Sequence, residues 1–153
     1  MKDDKHFNIR VYALLINMNQ EILVAEEYHF STFMRKFPGG GLQFGESTTD
    51  CLRRELREEL GIEVGRIEHQ HTTDIFVQSA FNSNHQVIGV YYATVAPDYL
   101  ISMYRENYAQ PSTEGEERFR WIPLEKIGID DFTFLIDRQA IEIFINKFKD
   151  DPI

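Results

Sequence analysis

Three glutamates, Glu55, Glu58 and Glu59, stand at i, i+3 and i+4 in the stretch RRELREELG, which runs from Arg53 to Gly61. On a helix, with about 100° of turn per residue, that spacing gathers them on one side with neighbouring Cβ atoms about 5–6 Å apart. For a bare helix this is poor design. A Glu55–Glu59 like-charge pair costs on the order of 0.2–0.5 kcal/mol. Anions in the last turn, where Glu58 and Glu59 fall, face the negative end of the helix dipole at roughly 0.3–1 kcal/mol each. A divalent cation would reverse the sign of every one of these terms. Hard carboxylate oxygens suit Mg²⁺, with Mn²⁺ as a substitute. Taken alone, the ELREEL hexamer reads first as a solvated acidic face with salt bridges from Arg53, Arg54 and Arg57. What surrounds it decides the matter.

The helix that must position these groups is well specified, over Thr48 to Leu60. Ser47 is a good N-cap, and Asp50 three residues on completes a capping-box arrangement. Gly61 suits the left-handed C′ residue that ends a helix. Leu52, Leu56 and Leu60 form an i, i+4, i+8 stripe for the core, and the glutamate row lies beside it, at the core's rim. Just before the helix comes a glycine-rich loop, Gly39-Gly40-Gly41, which stops a short strand over Met34 to Phe37. Other strand-like runs are Phe7 to Asn17, Glu21 to Ala25, Ile67 to Val77, Gln86 to Val95 and Arg118 to Ile122. Asn82 to His85 is a loop, and Pro97 to about Glu117 is polar and irregular. Phe134 to Phe148 has apolar residues at helical spacing. Strands with interspersed helices imply an α/β protein, a mixed sheet covered by helices.

The 153 residues, 42% hydrophobic and 27% charged, fit one domain over 1–153 of ordinary globular composition. No apolar run reaches membrane-spanning length, and Met1-Lys2-Asp3-Asp4-Lys5-His6 lacks the apolar stretch of a signal peptide, so no membrane and cytoplasmic residence are expected. The single cysteine, Cys51, excludes an internal disulfide and a multi-cysteine zinc site. It reads as a small buried side chain on the helix. The net charge of −9 argues against a nucleic-acid polymer, which needs clustered Lys and Arg. An acidic protein that binds a small polyphosphate needs a cation between the two.

Gly40, five residues, Glu46, seven residues, Arg54-Glu55-Leu56, one residue, Glu58-Glu59, one residue, Gly61-Ile62: this pattern resembles a complete box of the Nudix hydrolase family. With each polar position matched by chance only about 5–10% of the time, coincidence is negligible. The resemblance implies an α/β/α sandwich in which the box forms a loop–helix–loop. It implies that Glu55, Glu58 and Glu59 are the main metal ligands, with Glu46 assisting directly or through water, and that Arg54 orients the carboxylates. Gly39, Gly40 and Gly41 would let the backbone approach the metal–phosphate cluster. The implied activity is Mg²⁺-dependent attack of water on a diphosphate linkage in a nucleoside diphosphate derivative: a nucleotide sugar, ADP-ribose or a nucleoside triphosphate. A small nucleotide-type substrate is the implied partner, and homodimers are common in the family.

Outside the box the resemblance extends only to general layout. The general base is expected to be Glu58 or Glu59, or a glutamate of the later loop Glu114-Gly115-Glu116-Glu117, where many family members place an extra catalytic or metal-binding carboxylate. Glu114 and Glu117 are the candidates there, with an acidic surface loop as the alternative. Arg35 and Lys36, before the glycines, are candidates for touching substrate phosphates or are solubilising charges of an exposed strand. Gln78 occupies the place where ADP-ribose-specific members tend to carry proline. Two rival readings share the fold: a non-catalytic nucleotide sensor, which usually has a degraded box, and an isoprenoid-diphosphate isomerase, in which Cys51 would be essential.

Overall fold

A computed structural model of the protein describes residues 4–105 and 109–151. Residues 1–3 of the start, 106–108 within the polar segment, and 152–153 lie outside the described residues. The elements are β1 (His6–Ile16), β2 (Glu21–His29), β3 (Thr32–Lys36), β4 (Gly39–Gly41), α1 (Thr48–Leu60), β5 (Glu68–Thr72), β6 (His85–Val95), β7 (Glu117–Pro123) and α2 (Leu135–Asp150).

β1 runs parallel to β6 along its whole length, from His6 opposite His85 to Ile16 opposite Val95. Its other edge is shared. β4 lies antiparallel to Arg10–Tyr12, and β2 joins only at the hairpin, where Ile16 meets Ile22. β2 in turn carries β3 and β7, both antiparallel, and β5 closes the far side of β6. The sheet is therefore mixed.

Its two faces follow from the period of two along a strand. Val11, Ala13 and Leu15 of β1 pack with Leu52, Leu56 and Cys51 of α1. Tyr12, Leu14 and Ile16 pack on the opposite face with Ala140, Ile141 and Phe144 of α2. One helix covers each face, which makes the expected α/β/α sandwich. Leu52 and Leu56 are wholly buried. Truncating either to alanine would cost about 2–5 kcal/mol and loosen the helix that carries the glutamates. Among the described residues no helix is long and apolar enough to cross a membrane.

Three places depart from the sequence-based expectation. The glycines at 39–41 form a strand rather than a loop. Their backbone can reach β1 because they lack side chains: a Cβ on Gly39 would overlap the Val11 carbonyl oxygen. The strand expected over Ile67 to Val77 is only five residues long and carries a bulge between His69 and His71. It ends because the Thr73 side chain exchanges hydrogen bonds with Gly89 N–H and C=O, at 2.9 and 3.2 Å, which turns the chain out of the ladder. Within the polar segment after Pro97, a 3-10 turn over Asp98–Ser102 buries Leu100, whose carbonyl accepts from Trp121 Nε1 at 3.1 Å.

Candidate active site

The local chemistry of α1 sets the site. Ser47 caps the helix in an extended conformation: its Oγ accepts from Asp50 N at 3.0 Å, and Asp50 Oδ2 accepts from Ser47 N at 3.4 Å. At the other end Gly61 adopts φ 66° and donates to the Arg57 carbonyl at 3.0 Å. With the leucine stripe docked on the sheet, the adjoining row turns toward β4. A Cβ at Gly40 would overlap the Glu55 carboxylate, so a larger residue there would displace that side chain. The glycine strand is thus a cradle for an acidic side chain.

Arg54 organises the carboxylates. Its Nε and Nη2 donate to both oxygens of Glu46 at 3.0 and 2.8 Å, and Nη2 also donates to the Gly41 carbonyl at 3.1 Å. Its Nη1 bridges Glu55 at 2.9 Å and Glu58 at 3.2 Å. The fork of a guanidinium suits this task. Arg54, assisted by the Gln43 amide, holds the Glu46 carboxyl down at about 2. Glu55 is nearly enclosed, with 14% of its side chain exposed, whereas Glu58 is 58% exposed on the outer flank.

Glu59 is in the opposite situation. Burial pushes its carboxyl well above the usual range, and the hydrogen-bonded Glu55 and the charge of Glu117 push it further, against a weaker pull from Lys36. The structure therefore brings Glu55, Glu59 and Glu117 together, with Glu46 held one step away through Arg54. Glu58 joins through Arg54, whose Nη1 it shares with Glu55.

The remaining candidates separate. Glu114 is turned to the β2–β3 hairpin, where it accepts from the Phe30 and Ser31 amides at 2.8 and 3.2 Å and pairs with His29 at 2.8 Å. Phe30 and Ser31 both have positive φ, 52° and 58°, a conformation unfavourable for side-chain-bearing residues, and Glu114 ties it down. Arg35 is fully engaged: Nε and Nη2 donate to the buried Glu26 at 3.0 and 2.6 Å, and Nη1 reaches Asp131 at 3.4 Å. Lys36, on the other side of the same strand, pairs with Glu27 at 2.9 Å and lines a groove beside the acidic cluster. Cys51 is fully buried, and burial raises its thiol to about 12.

Sequence reasoning missed this groove, a cavity of about 360 Å³ whose wall includes Asn8, Arg10, Tyr12, Glu27 and Lys36. Its signal was the parity of β1. A lone arginine two residues before Tyr12, on the same face, is anomalous at the edge of an apolar run.

A divalent cation fits these residues. The donors are hard oxygens, the Gly40 cradle leaves room for Glu55, and two adjacent acidic groups share a hydrogen bond where a cation would relieve their repulsion. No three such groups among the described residues stand as a ready-made cage: Glu55 and Glu59 are adjacent, and Arg54 occupies oxygens of Glu55 and Glu58.

The NUDIX domain pattern matches residues 6–142. The chain is 36% identical over 62 residues to an RNA pyrophosphohydrolase of Blochmanniella pennsylvanica, covering 40% of this chain and 39% of that protein. It is 43% identical over 56 residues to the NAD-capped RNA hydrolase NudC of Pseudomonas fluorescens, covering 37% of this chain and 20% of the relative. These matches thus span less than half of each relative's length. In three dimensions it superimposes on a MutT protein from Methanosarcina mazei with a TM-score of 0.65 at 22% identity, over 95% of this chain and 98% of the other. The box of residues 40–62, the sandwich built around it and the match over residues 6–142 agree: the chain belongs to the Nudix family.

Proposed function

We propose that the protein hydrolyses a diphosphate linkage in a nucleoside diphosphate derivative, with Mg²⁺ or Mn²⁺ as cofactor. The observation that carries this reading is the Glu55–Glu59 pair, two acidic side chains held side by side on α1 under the glycine strand, with Glu117 beside them. Glu55 and Glu59 would hold the cation, Glu117 and Glu58 would complete its shell, and Glu46 would support it through Arg54. When bound, the cation supplies positive charge to the phosphate oxygens and acidifies water.

The chain's own residues do the rest. Water adds to phosphorus, the anhydride P–O bond breaks, and the departing phosphate keeps the electron pair. A carboxylate takes the proton as general base. Glu58, Glu59 and Glu117 are the candidates for that role. Arg54 keeps Glu46 and Glu55 ionised and aimed, while Gly39, Gly40 and Gly41 let the backbone approach the phosphates. Glu114 serves the hairpin and Cys51 the core, so neither takes part. That placement of Cys51 disfavours the isomerase reading, and the intact box disfavours a sensor that binds without cleaving.

The net charge of −9 favours a small substrate over a polymer. The two relatives are named for RNA, so an RNA 5′ end, which carries the same linkage, is the alternative to include. The test is a panel of a nucleoside triphosphate, a nucleotide sugar, ADP-ribose and a 5′-triphosphorylated oligonucleotide, with Mg²⁺ or Mn²⁺ and products identified. Cation-dependent cleavage at a diphosphate of a small nucleotide is expected. Binding without turnover across the panel would contradict the proposal.

A further inference from the structure

Among the cations around the groove, one is half-buried and only partly satisfied. Arg10 stands on β1 directly opposite Gly41 of β4, and its Nη1 lies 3.8 Å from where a Gly41 Cβ would stand. It therefore sits beside the glycine strand that cradles Glu55. Its Nε donates to the Tyr12 hydroxyl at 2.8 Å, and the guanidinium carbon lies 5.7 Å from the Tyr12 ring centroid. Its Nη1 and Nη2 have no hydrogen-bond or ion-pair partner among the described residues. Arg35 and Arg54, by contrast, are consumed by carboxylates, and Lys36 is paired with Glu27. The Nη groups are not among the buried polar atoms left without a partner; they stay accessible from the groove and open to an external acceptor.

The orientation of Arg10 is set by neighbours on its own face of the sheet. The Tyr12 ring stacks on Tyr91 at 5.1 Å and 25°, and the Tyr91 hydroxyl donates to the buried Asp137 of α2 at 2.6 Å. That chain of contacts leaves Arg10 lining the groove with its two Nη groups uncommitted.

We infer that Arg10 binds substrate: its two free Nη groups grip oxygens of the phosphate on the groove side of the scissile linkage, and Tyr12, Tyr91 and Asp137 are positioning residues that aim it. A planar guanidinium fork matches two phosphate oxygens. Labour would then be divided between a cation held at Glu55 and Glu59, which would supply charge to one phosphate, and Arg10, which takes its neighbour. This inference rests on the diphosphate-hydrolase reading of the same site.

The experiment compares wild type with Arg10→Gln, Arg10→Lys and Tyr12→Phe. Each is titrated calorimetrically with methylenediphosphonate in EDTA, and KM and kcat are measured on the best substrate of the panel with Mg²⁺. Arg10→Gln is expected to weaken the diphosphonate by about tenfold or more and to raise KM comparably. Arg10→Lys should recover part of both losses. Tyr12→Phe should raise KM severalfold with little change in kcat or melting temperature, as loss of aim predicts and loss of packing does not. If Arg10→Gln fails to fold, the other two variants decide. Affinity and KM within twofold of wild type in the folded Arg10 variants would overturn the inference, as would absence of diphosphonate binding by the wild type. If the wild type cleaves nothing in the panel, the hydrolase reading fails, while the titration still reports whether Arg10 holds a pair of phosphates.

Discussion

Two enclosed acidic groups in this molecule are treated in opposite ways. Glu26, on β2, has no exposed side-chain surface and lies between two guanidiniums, Arg35 at 2.6 Å and Arg120 at 3.1 Å. Glu59, on α1, is also largely enclosed but faces Glu55 and Glu117, and Lys36, whose charge opposes them weakly, is already paired with Glu27. Glu26 is compensated within the fold and so is structural. Glu59 is left uncompensated next to its own kind, and only something from outside restores the balance. Burial and charge type alone do not separate these roles; the count of opposing charges does.

The largest effect should come from Glu59→Gln. It removes one of two adjacent acids, so turnover should fall by about 10²–10⁴ in steady-state assays at saturating Mg²⁺. Denaturant stability should hold or rise, because a repulsion is lost. Wild-type-like rates would remove Glu59 from the mechanism.

Glu26→Gln should behave in reverse. It removes the charge shared by Arg35 and Arg120, and urea denaturation should show a loss of about 3–5 kcal/mol. Turnover per folded molecule should survive. A loss of rate without a loss of stability would erase the distinction between the two glutamates.

Asp137 offers a third enclosed carboxyl, which accepts from the Tyr91 hydroxyl; burial pushes it up to about 7. Its folded value exceeds the unfolded one of about 4, so the folded state holds the proton more tightly. The resulting stability is fully present below about pH 4 and is lost as pH rises to about 7, by up to about 4 kcal/mol. Denaturation curves from pH 4 to 8 should show that decline in the wild type and not in Asp137→Asn. Parallel curves for the two proteins would mean that Asp137 is ionised throughout.

The smallest effect belongs to an exposed carboxylate. Glu114→Ala frees the Phe30 and Ser31 amides, so thermal melting should drop modestly while kcat stays within about twofold. A collapse of kcat would return Glu114 to the site.

Much of α1 was legible in sequence because its signals are local: the Ser47–Asp50 cap, the left-handed Gly61 and the buried Leu52 and Leu56 all lie within a few turns of one another. The glutamate spacing was legible for the same reason. The fate of each side chain was not, since that depends on partners far along the chain. Arg35 and Lys36 are adjacent, yet the β3 register sends one to Glu26 and the other to the groove. Arg120, the second partner of Glu26, comes from a strand that sequence alone does not align with β2. Glu114 and Glu117 differ by three residues, but one pins a hairpin and the other joins the acidic cluster. Arg54 was expected to orient the carboxylates, and in the structure it donates to Glu46, Glu55 and Glu58. The glycine strand escaped notice because turn residues ordinarily mark loops, and only contact with β1 makes them a ladder.

The most direct measurement is a Mn²⁺ titration followed by electron paramagnetic resonance on the wild type, Glu59→Gln and Glu26→Gln, the last under conditions where it stays folded. Specific binding by the wild type, weakened by about tenfold or more in Glu59→Gln and unchanged in Glu26→Gln, is the expected result. Equal affinity in all three, or no specific binding by the wild type, would contradict the claim that the acids of α1 are left uncompensated in order to hold a cation.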